Sequence, residues 1–142
     1  MNRLRTPLYH LARCALAAVF LYAGGVKVLD PLGFAGQIAA YQFLPLTGNI
    51  LVAAMLPTIE LLAGGLLLCP RTARPAALVI LILNLVFLAA LASAWTRGLA
   101  IDCGCFRPGA ASSSIPLAIL RDLLFVAGAV IVLRYRPAPR CK

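Results

Sequence analysis

The sequence predicts an all-α integral membrane protein, an antiparallel four-helix bundle with a short interfacial helix in its first outer connection. Three observations predict it. The chain is 63% hydrophobic and 12% charged, well above the roughly 45–50% apolar content of soluble domains. Its apolar residues fall into four runs of about 19–22 residues, each long enough to cross about 30 Å of hydrocarbon at about 1.5 Å per residue. Its Lys and Arg residues gather at the ends of those runs and form no basic stripe with interleaved aromatics. The net charge of +9 is therefore topology information and not a nucleic-acid footprint.

The first span is expected over residues 8–29, apolar except for His10, Arg13 and Lys27. Arg3 and Arg5 ahead of it give the look of a signal peptide, but the run is long and no small-x-small cleavage site precedes a polar mature sequence, so an uncleaved helix is expected. The second span, residues 50–68, holds Pro57, which removes one backbone bond, and Glu60 one turn further on. The third, residues 75–95, opens on a proline at a tolerated first-turn position and closes on Trp95, suited to the membrane interface. Asn84 is its one strongly polar interior residue. The fourth, residues 115–133, follows the candidate caps Ser112, Ser113 and Ser114 and carries Arg121 and Asp122 near its start. Between spans one and two, Phe34, Ile38, Tyr41, Phe43 and Leu44 give a short apolar helical face that Pro45 ends. The whole chain, 1–142, is expected to form one membrane domain.

Cytoplasmic flanks retain Lys and Arg. Nine of the 13 such residues fall on the side of the two termini, and Lys27, Arg97, Arg107 and Arg121 fall on the other. Both termini are therefore expected in the cytoplasm of a bacterial inner membrane, with the two outer connections in the periplasm. One internal similarity is visible, Ala23-Gly24-Gly25 against Ala63-Gly64-Gly65. Close helix packing in lipid accounts for it, because small residues let backbones approach.

Two groups of residues carry candidate chemistry. Asp102-Cys103-Gly104-Cys105-Phe106 lies in the second outer connection, where the glycine lets the chain turn tightly enough to bring two sulfurs together. A ring that small is strained, and strained disulfides exchange more readily than structural ones. Redox exchange is the leading reading of the pair. A soft-metal site for Cu(I) or zinc and a passive brace are the alternatives, the brace weakened because so short a loop removes little unfolded-state entropy. Cys14, Cys69 and His10 belong to the opposite side, the cysteines read as small packing residues and the histidine as interfacial. The second group is Lys27, Glu60 and Arg121. Each costs a few kcal/mol, about 2.5–3.5 on insertion scales, at the bilayer centre unless paired or near water. Snorkelling explains Lys27 and Arg121 at the outer ends of their spans. Glu60 is deeper, and pairing with Lys27 or Arg121 would let it bind a polar head group, relay protons or serve as a structural ion pair.

Phe20-Leu21-Tyr22-Ala23-Gly24 with Lys27, Asp30-Pro31, Phe34-Ala35, Tyr41 before Leu44-Pro45, Leu56-Pro57 with Glu60-Leu61, and Arg97-Gly98 leading into Cys103-Gly104-Cys105-Phe106 together resemble the methylamine utilisation protein MauE family, within the broader DoxX-like group. The resemblance runs over nearly the whole chain, and Cys-Gly-Cys-Phe is its most specific element. It implies a four-helix inner-membrane protein that works with a thioredoxin-like partner in maturing periplasmic proteins, amine dehydrogenase subunits being the named case. Carried over by position, Cys103 and Cys105 would be the redox pair, and Lys27, Glu60 and Arg121 the membrane polar positions expected to bind a cofactor. One departure is that Arg107-Pro108-Gly109 follows Cys-Phe where the family often has glycine.

The leading expectation for function is thus a thiol–disulfide oxidoreductase at the outer face. A quinone between the helices is the expected electron acceptor, by analogy with other four-helix membrane thiol oxidases. The runner-up is a non-enzymatic assembly partner that uses the cysteines for stability or copper capture, and a third reading is a small-solute carrier centred on Glu60.

Overall fold

The computed structural model describes residues 5–98 and 115–135. Five helices run in order, α1 (Arg5–Leu29), α2 (Pro31–Ala40), α3 (Leu46–Leu68), α4 (Ala73–Thr96) and α5 (Ile115–Arg134). Four of them contain stretches long and apolar enough to cross a membrane, Thr6–Leu29, Leu46–Leu68, Ala73–Thr96 and Pro116–Arg134. In hydrocarbon each backbone donor and acceptor must be satisfied within its own segment, which is why uninterrupted apolar runs become helices. No more than 33% of any span is buried within the protein. Leu51, Leu62, Val86 and Leu124 are among the large apolar side chains left on the outside, a surface that only lipid covers without penalty. The molecule is a multi-pass helical membrane protein.

The principal packing pairs are α1 with α3 and α4 with α5, and the two pairs are joined through α3 with α4 and α1 with α5. Gly24 and Gly64 set the approach of α1 to α3. A Cβ on Gly24 would lie 2.9 Å from Leu61 Cγ and 3.1 Å from the Pro57 carbonyl oxygen, and one on Gly64 would lie 3.2 Å from the Leu21 nitrogen and 3.3 Å from the Ala17 carbonyl oxygen. Gly25 and Gly65 face open space. The repeated Ala-Gly-Gly therefore contributes its first glycine from each helix to one interface.

This register staggers α1 against α3. With Gly24 opposite Pro57 and Leu61, the first two turns of α3 run past the end of α1, by roughly 12 Å at about 1.5 Å per residue. Helix α2 packs along α3 and touches α1 little. It begins where Asp30 accepts a hydrogen bond from the Gly33 N–H at 2.9 Å, with Pro31 in the first turn, a side-chain cap followed by a residue whose missing donor costs nothing there. The short helix anticipated between the first two spans is thus present. Its far end is tied across to α4 by Arg97, which donates to the Tyr41 carbonyl at 3.0 Å and lies over the Phe43 ring at 5.4 Å.

The main apolar core lies toward the end that carries the termini and is built from Tyr9, Leu16, Ala17, Ala63, Leu67, Ala77, Ile80, Ala129 and Val132. A smaller cluster of Tyr41, Leu91, Ala94 and Ala118 closes the opposite end. Within the first cluster's region Arg13 is also buried, its guanidinium 5.7 Å from the centre of the Tyr9 ring. Cys14 and Cys69, read from the sequence as packing residues, are instead exposed on the outside of the bundle. Position 14 falls on the lipid side of α1, one residue off the buried Arg13, and position 69 caps α3. Ser112, Ser113 and Ser114, expected as caps of the fourth span, lie outside the described residues.

Candidate functional site

Between the two apolar clusters the four spanning helices and α2 leave a cavity of about 340 Å³, walled by apolar side chains and by Lys27, Gln37, Glu60, Asn84, Arg121 and Asp122. Lys27 stands in the last turn of α1 and Glu60 in the second half of α3. The close approach at Gly24 brings them together: Lys27 Nζ donates to Glu60 Oε1 at 2.5 Å and to Oε2 at 2.7 Å, with both side chains buried. The Lys27 ammonium also lies 5.0 Å from the centre of the Phe34 ring of α2, a cation–π contact that strengthens when water is excluded.

A second ion pair comes from α5. Arg121 donates through Nε at 3.2 Å and Nη2 at 3.1 Å, both to Asp122 Oδ1. Asp122 is only 2% exposed, and its other oxygen, Oδ2, has no hydrogen-bond partner among the described residues. Arg121 lies over the Phe125 ring at 6.0 Å. Asn84 of α4 is buried and spends its amide on the Ile80 carbonyl at 2.9 Å. The cavity thus gathers two basic and two acidic side chains, whose formal charges cancel.

Lys27, Glu60 and Arg121, picked from the sequence as polar positions in apolar runs, all line this one chamber, and Glu60 pairs with Lys27. Asp122 was not among them. Its signal was the spacing of Ala118, Asp122, Phe125, Ala129 and Val132, steps of four and three that place it on the buried stripe of α5. Cys103 and Cys105 lie outside the described residues. Among the described residues no three His, Cys, Asp or Glu come together as metal ligands would.

Phe20, Phe34, Tyr41, Phe87 and Phe125 supply most of the wall's aromatic surface. Of the lining side chains, Phe43, Leu44 and Val86 remain exposed and mark the mouth. Val86 sits at mid-length of α4, so the mouth reaches the hydrocarbon region. An apolar chamber with a few convergent polar groups is the usual form of a small-molecule site.

Fold and site together define a multi-pass helical membrane protein with a charge-balanced chamber open to lipid. Comparison with known proteins narrows that class. The family model described as Methylamine utilisation protein MauE matches residues 5–135, and the chain belongs to the MauE family. The Methylamine utilization protein MauE of Paracoccus denitrificans is 38% identical over 128 residues, covering 89% of this chain and 68% of that protein. The protein of the same description from Paracoccus versutus is 36% identical over 139 residues, covering 96% of this chain and 75% of its own. No solved structure matches the chain.

Proposed function

We propose that this protein is a membrane thiol–disulfide oxidoreductase that supports maturation or disulfide formation of periplasmic proteins, together with a thioredoxin-like partner. The observation that carries the reading is Cys103-Gly104-Cys105, the only cysteines close in sequence, in the connection from α4 to α5 of a MauE family member. Two thiols separated by one glycine suit exchange better than bracing. The excess of Lys and Arg on the side of the termini supports an orientation with both termini cytoplasmic and the pair periplasmic.

In each exchange one thiolate of the pair attacks a sulfur of the partner's disulfide. The partner's S–S bond breaks, a mixed disulfide forms, and the second thiolate resolves it. Two electrons pass to the partner, which leaves as a dithiol, and the same steps run in reverse when the partner is reduced. Turnover needs a two-electron carrier that moves in the membrane, and a quinone is the class that meets this need.

The test is the redox state of Cys103 and Cys105 in purified membranes, read by differential alkylation and mass spectrometry across defined redox buffers, with and without copper. A reversible two-electron transition that copper leaves in place is expected, and a Cys105→Ser variant should then trap the partner as a mixed disulfide. A pair that never cycles, or that only copper protects, overturns the relay in favour of soft-metal handling or passive assembly.

A further inference from the structure

Lys27 and Arg13 are both basic and both buried, yet only one of them has an acidic partner. Lys27 is held by Glu60. Arg13 is 9% exposed, and its Nε and Nη1, both covered by protein, have no hydrogen-bond partner among the described residues. Its guanidinium lies 5.7 Å from the centre of the Tyr9 ring, but a ring face attracts a cation without neutralising it. A buried charge needs a counter-ion.

The sequence holds four acidic residues, and none stands at the end of the bundle that carries the termini. Asp30 caps α2, while Glu60 and Asp122 are taken by Lys27 and Arg121 in the chamber. Asp102 belongs to the connection that leaves α4 at Thr96 and enters α5 at Ile115, at the opposite end. Near the termini the other charges are positive: Arg71, Arg74 and Arg134 are all exposed there. No acidic side chain of the sequence supplies the counter-ion, so another molecule must.

The surroundings of Arg13 say which kind. It stands about two turns into α1, roughly 12 Å of helix at about 1.5 Å per residue, and its head lies back over Tyr9, one turn nearer the terminus. Of its three nitrogens only Nη2 is left uncovered, and that is the donor an anion can reach. Leu8 and Leu11 of α1 and Leu68 of α3 are exposed at the same end, an apolar surface suited to acyl chains. A guanidinium favours phosphate, which accepts short charge-assisted hydrogen bonds. A zwitterionic lipid would bring a second cation to an end already rich in arginine, whereas basic pockets between spanning helices suit anionic head groups.

We propose that Arg13 binds the phosphate of an anionic phospholipid, Nη2 donating to a phosphate oxygen while the acyl chains cover the exposed leucines of that end. This site lies apart from the chamber and owes nothing to Cys103 or Cys105.

The experiment titrates the full chain, purified in dodecyl maltoside, with phosphatidylglycerol or phosphatidylcholine and counts bound lipids by native mass spectrometry. One saturable phosphatidylglycerol is expected. Phosphatidylcholine should bind about tenfold more weakly, and Arg13→Gln should weaken phosphatidylglycerol by about the same factor, the loss of one hydrogen bond between charged groups. Arg71→Gln, at an exposed position of the same end, should change the affinity little. Thermal unfolding provides a second reading in case Arg13→Gln folds poorly. Arg13→Met should be at least as stable as the original chain in detergent alone, because an apolar side chain replaces an uncompensated charge. Added phosphatidylglycerol should then raise the midpoint of the original chain and leave that of Arg13→Met where it was. Equal binding of the two lipids, undiminished binding by Arg13→Gln, or an equal rise in both midpoints overturns the site. Displacement of phosphatidylglycerol by inorganic phosphate would assign the guanidinium to a soluble ion and overturn the lipid.

Discussion

Lys27 and Glu60 form a buried pair in which each group's charge is tolerated because of the other. Removing one partner leaves an uncompensated ion in a dry environment, a loss of about 3–5 kcal/mol. Glu60→Gln should therefore lower stability by that amount, measured by denaturant titration in detergent. Replacing both partners, Lys27→Met with Glu60→Met, should recover most of it, because paired burial is close to neutral against apolar packing. If the double variant is as unstable as the single one, the pair is not what the charges are for. Ionisable groups within apolar runs are rare enough that Lys27, Glu60 and Arg121 stood out as candidates from the sequence alone. Which of them pair was not legible, because pairing depends on the register between helices. Asp122 was the hardest to see: beside Arg121 it reads as half of a local surface pair, and only the periodicity of α5 betrays its burial.

Along α1 and α3 the two Ala-Gly-Gly motifs make a differential prediction. Gly64→Ala places a methyl against the backbone of Leu21 and Ala17, atoms that cannot yield without parting the helices, and overpacking of that kind costs about 1–3 kcal/mol. Gly65→Ala meets nothing within 4 Å and should be neutral or slightly stabilising, since alanine is the better helix former. Thermal denaturation of the two variants in one detergent compares adjacent positions with the same chemistry. Equal losses would mean that α1 and α3 do not meet at Gly64. The sequence revealed that small residues gather in these helices. It did not reveal which glycine of each doublet faces the partner, because the hydrophobic pattern of a lipid-exposed helix carries little contrast between its two sides.

For the molecule as a whole, the bilayer narrows the possible architectures so severely that four apolar runs leave few alternatives. That is why the four-helix bundle and its short extra helix were readable in the residues. The stagger of α1 against α3 was not, since it is set by the contacts at Gly24 and Gly64. Nine of the 13 Lys and Arg residues lie on the side of the termini, and the positive-inside bias should hold that side in the cytoplasm. A fluorescent reporter that folds only in the cytoplasm, fused after Lys142, should be bright, and a phosphatase that requires export should be inactive at the same junction. The opposite pattern would place Cys103 and Cys105 in the reducing compartment and remove the basis for exchange with exported proteins.

The cancellation of charge among Lys27, Glu60, Arg121 and Asp122 has an electrical consequence. A charge moved through the membrane field changes energy by about 2.3 kcal/mol per 100 mV, so a pocket with an unbalanced ion would fill or empty with the energisation of the cell. Four side chains whose formal charges cancel give that field no net charge to act on when a neutral molecule enters or leaves. Occupancy should be the same in polarised and depolarised vesicles, which would let the protein work at a steady rate while respiration rises and falls around it.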